Sequence, residues 1–200
     1  MIEVKALSVK QPYAQLLVLG LKRVETRPRQ TRHRGLLAIH ATKAVPGTDI
    51  QNQFPEAWEA MQSYIADRPG WIDDNYHLTC GAVVGTVNLT ACVPIEKLYG
   101  TEYDTPQERA FGDWSPGRFG WIVENPLAFD CPDPARGMLG LWNWTPSKRI
   151  SAKYLANTAD SGRCTYFHCR RNGQMRCCRY CQNPCDNPCH NNPTKCGYAG

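Results

Sequence analysis

Two groups of residues in this 200-residue chain have types and spacing suited to chemistry. The first is Lys22-x-x-Glu25-x-Arg27, a carboxylate between two cations. A glutamate among basic neighbours stays ionised and orients Arg27 or Arg34 by bidentate pairing. Lys22, Glu25 and Arg27 differ by odd and even steps, so they cannot all share one strand face, whereas Glu25 and Arg27 can. Lys22, Arg27 and Arg34 suit a phosphate, with Thr31 and Gln11 supplying hydrogen bonds to a base. A desolvated Lys22 beside Glu25 is also a candidate base or nucleophile. His40 and Lys43 extend the same basic rim. His40 is a candidate general base, although a lone histidine at a strand end is more often structural.

The second group is a run of cysteines. Eight of the eleven lie at Cys164, Cys169, Cys177, Cys178, Cys181, Cys185, Cys189 and Cys196. This segment has almost no aliphatic residues, so apolar burial cannot offset its chain entropy. Bonds between sulfurs or a metal must hold it. The chain's opening residues show no basic region followed by an apolar one, and no stretch is apolar enough to span a membrane. A cytoplasmic chain keeps thiols reduced, and its clustered cysteines more often bind metal than pair. Structural zinc is therefore expected. Cys178-x2-Cys181 supplies one pair of thiolates, and Cys185 with Cys189 or Cys164 with Cys169 the other, with His168 and His190 in reserve. Adjacent Cys177 and Cys178 fit one tetrahedral site poorly, which suggests two ions or one spare thiol. A disulfide scaffold and an iron–sulfur cluster remain open, though Pro184 and Pro188 precede cysteines rather than follow the last one. Cys80, Cys92 and Cys131 sit in apolar, strand-like contexts and read as small buried hydrophobes.

Charge is unevenly distributed. The chain carries +5 overall, and residues 5–43 hold nine Lys or Arg against one acid, Glu25. Residues 44–150 hold seven against fourteen, and the residues from 151 onward hold seven against two. Basic stretches suit polyanions, although a charge run is more often a solvated face. In the tail, Arg170, Arg171, Arg176 and Arg179 interleave with Tyr166, Phe167 and Tyr180, a pattern of single-strand nucleic-acid platforms and equally of a soluble module that docks protein.

The elements that must position these groups are short. Val4–Val9, Val24–Arg27, Leu36–Ala41, Gly81–Val93, Phe119–Glu124 and Leu139–Trp144 read as strands. Val83, Gly85, Val87 and Leu89 alternate on one face of a half-buried strand. Pro12–Leu19 reads as a helix capped by Gly20. Pro55–Ala66 reads as a second, with Ala57, Trp58, Met61 and Ile65 at helical spacing. Trp121 and Trp142 are expected in the core. Several short strands with few helices point to a small α+β barrel.

Several of these segments together resemble a known family. Leu7-Ser8-Val9-Lys10-Gln11-Pro12-Tyr13-Ala14 is followed by Gly20-x-Lys22-x-x-Glu25-x-Arg27, then Thr31-x-x-Arg34-Gly35 and Ile39-His40-Ala41. Later come Gly117 to Pro126 and Gly137-x-x-Gly140-Leu141-Trp142. This ordered set is similar to the signature of ASCH (activating signal cointegrator homology) domains of the PUA-like superfamily, over about residues 4–146. Tyr13 stands where the family usually has Trp. The resemblance implies a six-stranded pseudo-barrel with a cleft, a role in RNA binding, and occasional enzymes. Zinc modules accompany some of its members. Among its enzymes are amidohydrolases acting on acetylated cytidine through a Lys, a Thr and a Glu. Lys22 matches the lysine, but Glu25 occupies the threonine position, and Thr26, one step off, faces the other way on a strand. Some relatives are nucleases.

The expected architecture is thus a PUA-like small β-barrel with short flanking helices over residues 1–147, a linker over 148–163 and a metal-stapled module over 164–200. The expected function is nucleic-acid binding, to RNA, through the cleft and the basic tail. The alternative is a hydrolase acting on an N4-acetylcytidine-type nucleoside or on RNA. A cytoplasmic location follows, with a protein partner possible through the tail.

Overall fold

The computed structural model describes residues 3–43, 50–65 and 78–155. The eight tail cysteines lie outside the described residues. Six strands form one mixed sheet: β1 (Val4–Val9), β2 (Val24–Arg27), β3 (Gly35–Ala41), β4 (Ala82–Pro94), β5 (Phe119–Pro134) and β6 (Leu141–Trp144). Their order is β2-β5-β4-β3-β1-β6. β1 and β3 run parallel, and the other neighbours are antiparallel.

The α+β class holds, but the expected small β-barrel is corrected to a sheet. The sheet is open, because the edge strands β2 and β6 do not pair with each other among the described residues. Each is only four residues long, so neither carries a ladder long enough to close the sheet. Short edge strands also leave little unpaired backbone exposed.

Helix α1 (Tyr13–Leu19) follows β1 and is apolar nearly all round, with Ala14 to Val18 buried. Two partners explain this. Ala14, Leu17 and Val18 pack with sheet residues such as Val84, Val87 and Val123, whereas Leu16 packs with Ala57, Met61, Leu78 and Phe111. A helix covered on both sides needs no polar face. Gly20 ends α1 in the left-handed conformation (φ 75°), donating its N–H to Leu17 O at 3.1 Å. Helix α2 (Ile50–Gln53) precedes α3 (Pro55–Ile65), whose Ala57 and Met61 form its buried face.

Strand β4 is buried on both faces in its first half, not on one. Val83, Val84, Thr86 and Val87 are consecutive buried positions around Gly85. The β4–β5 ladder slips at Gly85, where a Cβ would stand 2.2 Å from Leu127 O and 2.8 Å from Val18 Cγ1. Only glycine lets α1 approach there. Strand β5 runs ten residues past its expected end at Glu124, to Pro134. Its continuation pairs with β4 from Ala82 to Thr86.

Trp121 and Trp142 are buried, as the alternation of their strands predicts. The three cysteines outside the tail are not. Cys80 and Cys92 are half-buried and Cys131 is exposed. Cys92, beyond Leu89 on β4, packs against the core from its margin. Ser147 caps helix α5 (Lys148–Ile150), its Oγ accepting from Ile150 N. No helix among the described residues is long and apolar enough to cross a membrane.

Candidate functional site

Lys22 is where the fold departs most from the usual fate of a lysine. Its residue is 1% exposed, among the most buried side chains of the molecule. It stands in the turn between α1 and β2 rather than in the strand, so strand periodicity does not govern it. From there Nζ donates to Val24 O at 2.5 Å, lies 3.7 Å from Glu25 Oε2, and sits 5.9 Å from the centre of the Tyr13 ring. Burial pulls the Lys22 ammonium below its ordinary pKa, and the carboxylates of Glu25 and Glu108 offset part of that. Tyr13 moves the other way, raised by burial and by the charge of Glu25.

Glu25 divides its carboxylate between two cations. Oε1 lies 2.9 Å from Arg27 Nε, an ion pair without the alignment of a hydrogen bond. Arg27 Nη2 then donates to Ser8 O at 2.8 Å. The sequence's question of whether Glu25 orients Arg27 or Arg34 is answered by this geometry. Arg34 is exposed and donates to the carbonyls of Thr31 and His33.

Thr26 points away from Glu25 yet remains near Lys22. A Cβ added to Gly112 would stand 3.2 Å from both Lys22 Nζ and Thr26 Oγ1. The one-residue step on β2 separates Thr26 from Glu25 but not from Lys22, because Lys22 approaches from the turn. Thr26 Oγ1 accepts from Asp113 N at 3.1 Å, and Arg118 bridges Asp113 Oδ2 (3.2 Å) and Thr26 O (3.2 Å). The wall of the site is thus the segment from Gly112 to Arg118, which sequence reasoning passed over.

Glu108 was missed as well. It is 3% exposed, and on helix α4 (Pro106–Ala110) its two carboxylate oxygens accept from Arg23 N (2.5 Å) and Val24 N (3.2 Å), the two peptides after Lys22. Burial raises its pKa. A signal was present: Thr105-Pro106-Gln107-Glu108 has capping-box spacing, and Thr105 Oγ1 does accept from Glu108 N at 3.1 Å. The glutamate, however, reaches to the β2 entry rather than back to its own cap.

The other expected contacts have structural partners. Gln11 is buried, donating to Thr79 O and accepting from Gln15 N, so it fixes the start of α1. Thr31 accepts from His33 N through Oγ1 and donates its N–H to Cys92 Sγ at 3.4 Å, organising the β2–β3 loop. Lys43 is exposed and lies along Gly81. His40 is 1% exposed, with Nε2 3.0 Å from Ala135 O and its ring edge-on to Trp142 at 5.7 Å. Its pKa is lowered by burial. These partners place His40 with the β5–β6 loop rather than with Lys22 and Glu25. Among the described residues, no group of three or more His, Cys, Asp or Glu is placed to hold a metal ion.

Comparison with known proteins follows the same residues. Residues 7–133 match the ASCH domain family model. Activating signal cointegrator 1 of Homo sapiens is 31% identical over 136 residues, which is 68% of this chain and 21% of that protein. The Mus musculus protein of that name is 30% identical over the same length and shares. The chain therefore spans about 21% of the length of these relatives. Among solved structures, ASCH from Zymomonas mobilis aligns with a TM-score of 0.43 and 17% identity, covering 76% of this chain and 93% of that one. A mutant of the same protein gives 0.43 and 16%, covering 76% and 96%.

Proposed function

The chain belongs to the ASCH domain family, and we propose on that footing that it binds nucleic acid, with single-stranded RNA as ligand. One observation carries the reading. The loop after β2 exposes Arg29, Arg32 and Arg34 directly beyond the Glu25–Arg27 pair. Its backbone is held in place, with Trp121 Nε1 donating to Arg29 O at 3.1 Å and Thr31 N to Cys92 Sγ. Cations on a pre-ordered loop meet phosphates with little further ordering cost. Half-buried Arg27 and Arg118 continue this basic surface toward Lys22.

Fluorescence anisotropy of labelled single-stranded RNA against the full chain, at two salt concentrations, tests the reading. Each phosphate contact on a single strand contributes about 0.7 to the salt slope. Arg29→Ala, Arg32→Ala and Arg34→Ala together should weaken binding more than tenfold and lower the slope by about 2. Absence of RNA binding by the unmodified chain overturns it.

A second reading, a hydrolase of an N4-acetylcytidine-type nucleoside or of RNA, is favoured by the buried Lys22 with Glu25 Oε2 3.7 Å from its Nζ and Thr26 Oγ1 facing the same glycine, Gly112. Burial draws the Lys22 pKa down from its ordinary value, the direction that favours a lysine as base or nucleophile. Chromatographic assay of N4-acetylcytidine and of an RNA strand, with Lys22→Ala as control, separates this from binding alone. The zinc proposed for Cys164, Cys169, Cys177, Cys178, Cys181, Cys185, Cys189 and Cys196 rests on their spacing.

A further inference from the structure

The most solvent-exposed large hydrophobic side chains of the described residues stand together at the tip of the β5–β6 loop. Leu139 is 100% exposed and Met138 is 52% exposed. Single exposed apolar residues are ordinary on protein surfaces. An adjacent pair on a braced loop, next to a cationic site, is not. Ala135 N donates to Gly81 O and Ala135 O meets His40 Nε2. Ser8 Oγ donates to Met138 O at 2.9 Å. Gly137 lies so close to His40 that a Cβ there would stand 2.4 Å from Cε1, and Gly140 turns the chain at φ 69°. The loop is therefore pressed onto the sheet, and its tip is held outward rather than free to fold back.

Ser8 also joins this tip to the site. Its carbonyl accepts from Arg27 Nη2 at 2.8 Å while its hydroxyl holds Met138. One residue thus sets the spacing between a partly exposed guanidinium and a protruding apolar pair. Arg136, exposed two residues before Met138, adds a second cation beside the tip. Cations flanking a rigid aliphatic wedge match a strand whose phosphates lie on the arginines and whose bases are parted by the wedge.

Resting on the RNA-binding reading, we infer that Met138 and Leu139 form an apolar wedge that inserts between adjacent bases of a bound single strand, with Arg27 and Arg136 on the flanking phosphates.

The test uses the full chain and a short single-stranded RNA carrying one 2-aminopurine, whose emission rises when it loses its stacking neighbour. Binding by the unmodified chain should raise emission. Met138→Ser with Leu139→Ser should abolish the rise and weaken affinity about tenfold with the salt slope unchanged, since no phosphate contact is lost. Leu139→Phe should retain both. Both positions are exposed, so an unchanged melting temperature confirms folding. RNA binding by the double variant equal to that of the unmodified chain overturns the wedge and leaves the RNA reading intact, a result expected of a tip that docks protein. RNA binding without an emission rise overturns it equally. No RNA binding by the unmodified chain overturns both.

Discussion

Lys22 and Glu25 form a buried ion pair, Nζ to Oε2 at 3.7 Å, between a residue of a turn and a residue of a strand. Arg27 holds the other oxygen of the same carboxylate. Glu25 is thus the shared counter-ion of two cations, one of them almost wholly withdrawn from water.

Glu25→Gln should therefore be among the most damaging changes at the site. It removes the carboxylate that pairs with both Lys22 and Arg27, and unpairing a buried charge costs about 3–5 kcal/mol. Urea denaturation measures this. Adding Lys22→Met should restore part of the loss, because no uncompensated buried amine then remains.

Glu108→Ala should destabilise by about 2–3 kcal/mol, since the peptide N–H groups of Arg23 and Val24 lose their acceptor. Glu108→Gln, which keeps one carbonyl oxygen, should cost less. The same two variants should shift Lys22 Nζ titration, read by NMR, because the Glu108 charge is one of the influences that raise it.

Acid should weaken the fold through His40. Burial sets its folded pKa below the ordinary value of 6.5. Below pH 6.5 the unfolded chain takes up a proton that the folded chain refuses, so stability falls as pH falls, down to the depressed folded value. Its slope is at most about 1.4 kcal/mol per pH unit. Denaturant titrations at several pH values should show this fall, and His40→Asn should flatten it.

Gly85→Ala should cost about 3 kcal/mol or more, because its new Cβ meets the Leu127 carbonyl oxygen, which is backbone and cannot rotate away. Thermal denaturation measures it, with Gly35→Ala, where a Cβ meets open space but φ is 95°, as the smaller comparison.

Metal analysis of the purified full chain should find zinc, and chelation should release it together with newly reactive thiols. A chain with neither zinc nor iron, whose thiols are protected only after oxidation, contradicts the expectation.

Much of this architecture was legible because local rules act over a few residues. Alternation in Val4–Val9, helical spacing in Pro55–Ile65 and Gly20 after Leu19 each name their element without reference to the rest. That Glu25 and Arg27 share a face follows from the period of a strand, but the choice between Arg27 and Arg34 as the partner of Glu25 does not, and among the loop arginines the sequence singles out only Arg34, not Arg29 or Arg32. Burial on both faces of β4 was not legible. It arises because α1 lies over Gly85, a contact between residues far apart in the chain.

The sequence by itself determined which residue types are available: one acid among many cations in residues 5–43, and elements short enough to bring them near one another. Tertiary structure alone decided that Lys22 is buried, that Glu108 braces the β2 entry from 84 or 85 residues away, and that Ser8 links Arg27 to the Met138–Leu139 tip. The reason is physical. Periodicity assigns a side chain to a face, but desolvation and ion pairing depend on what the folded chain brings opposite that face, and no local spacing encodes it.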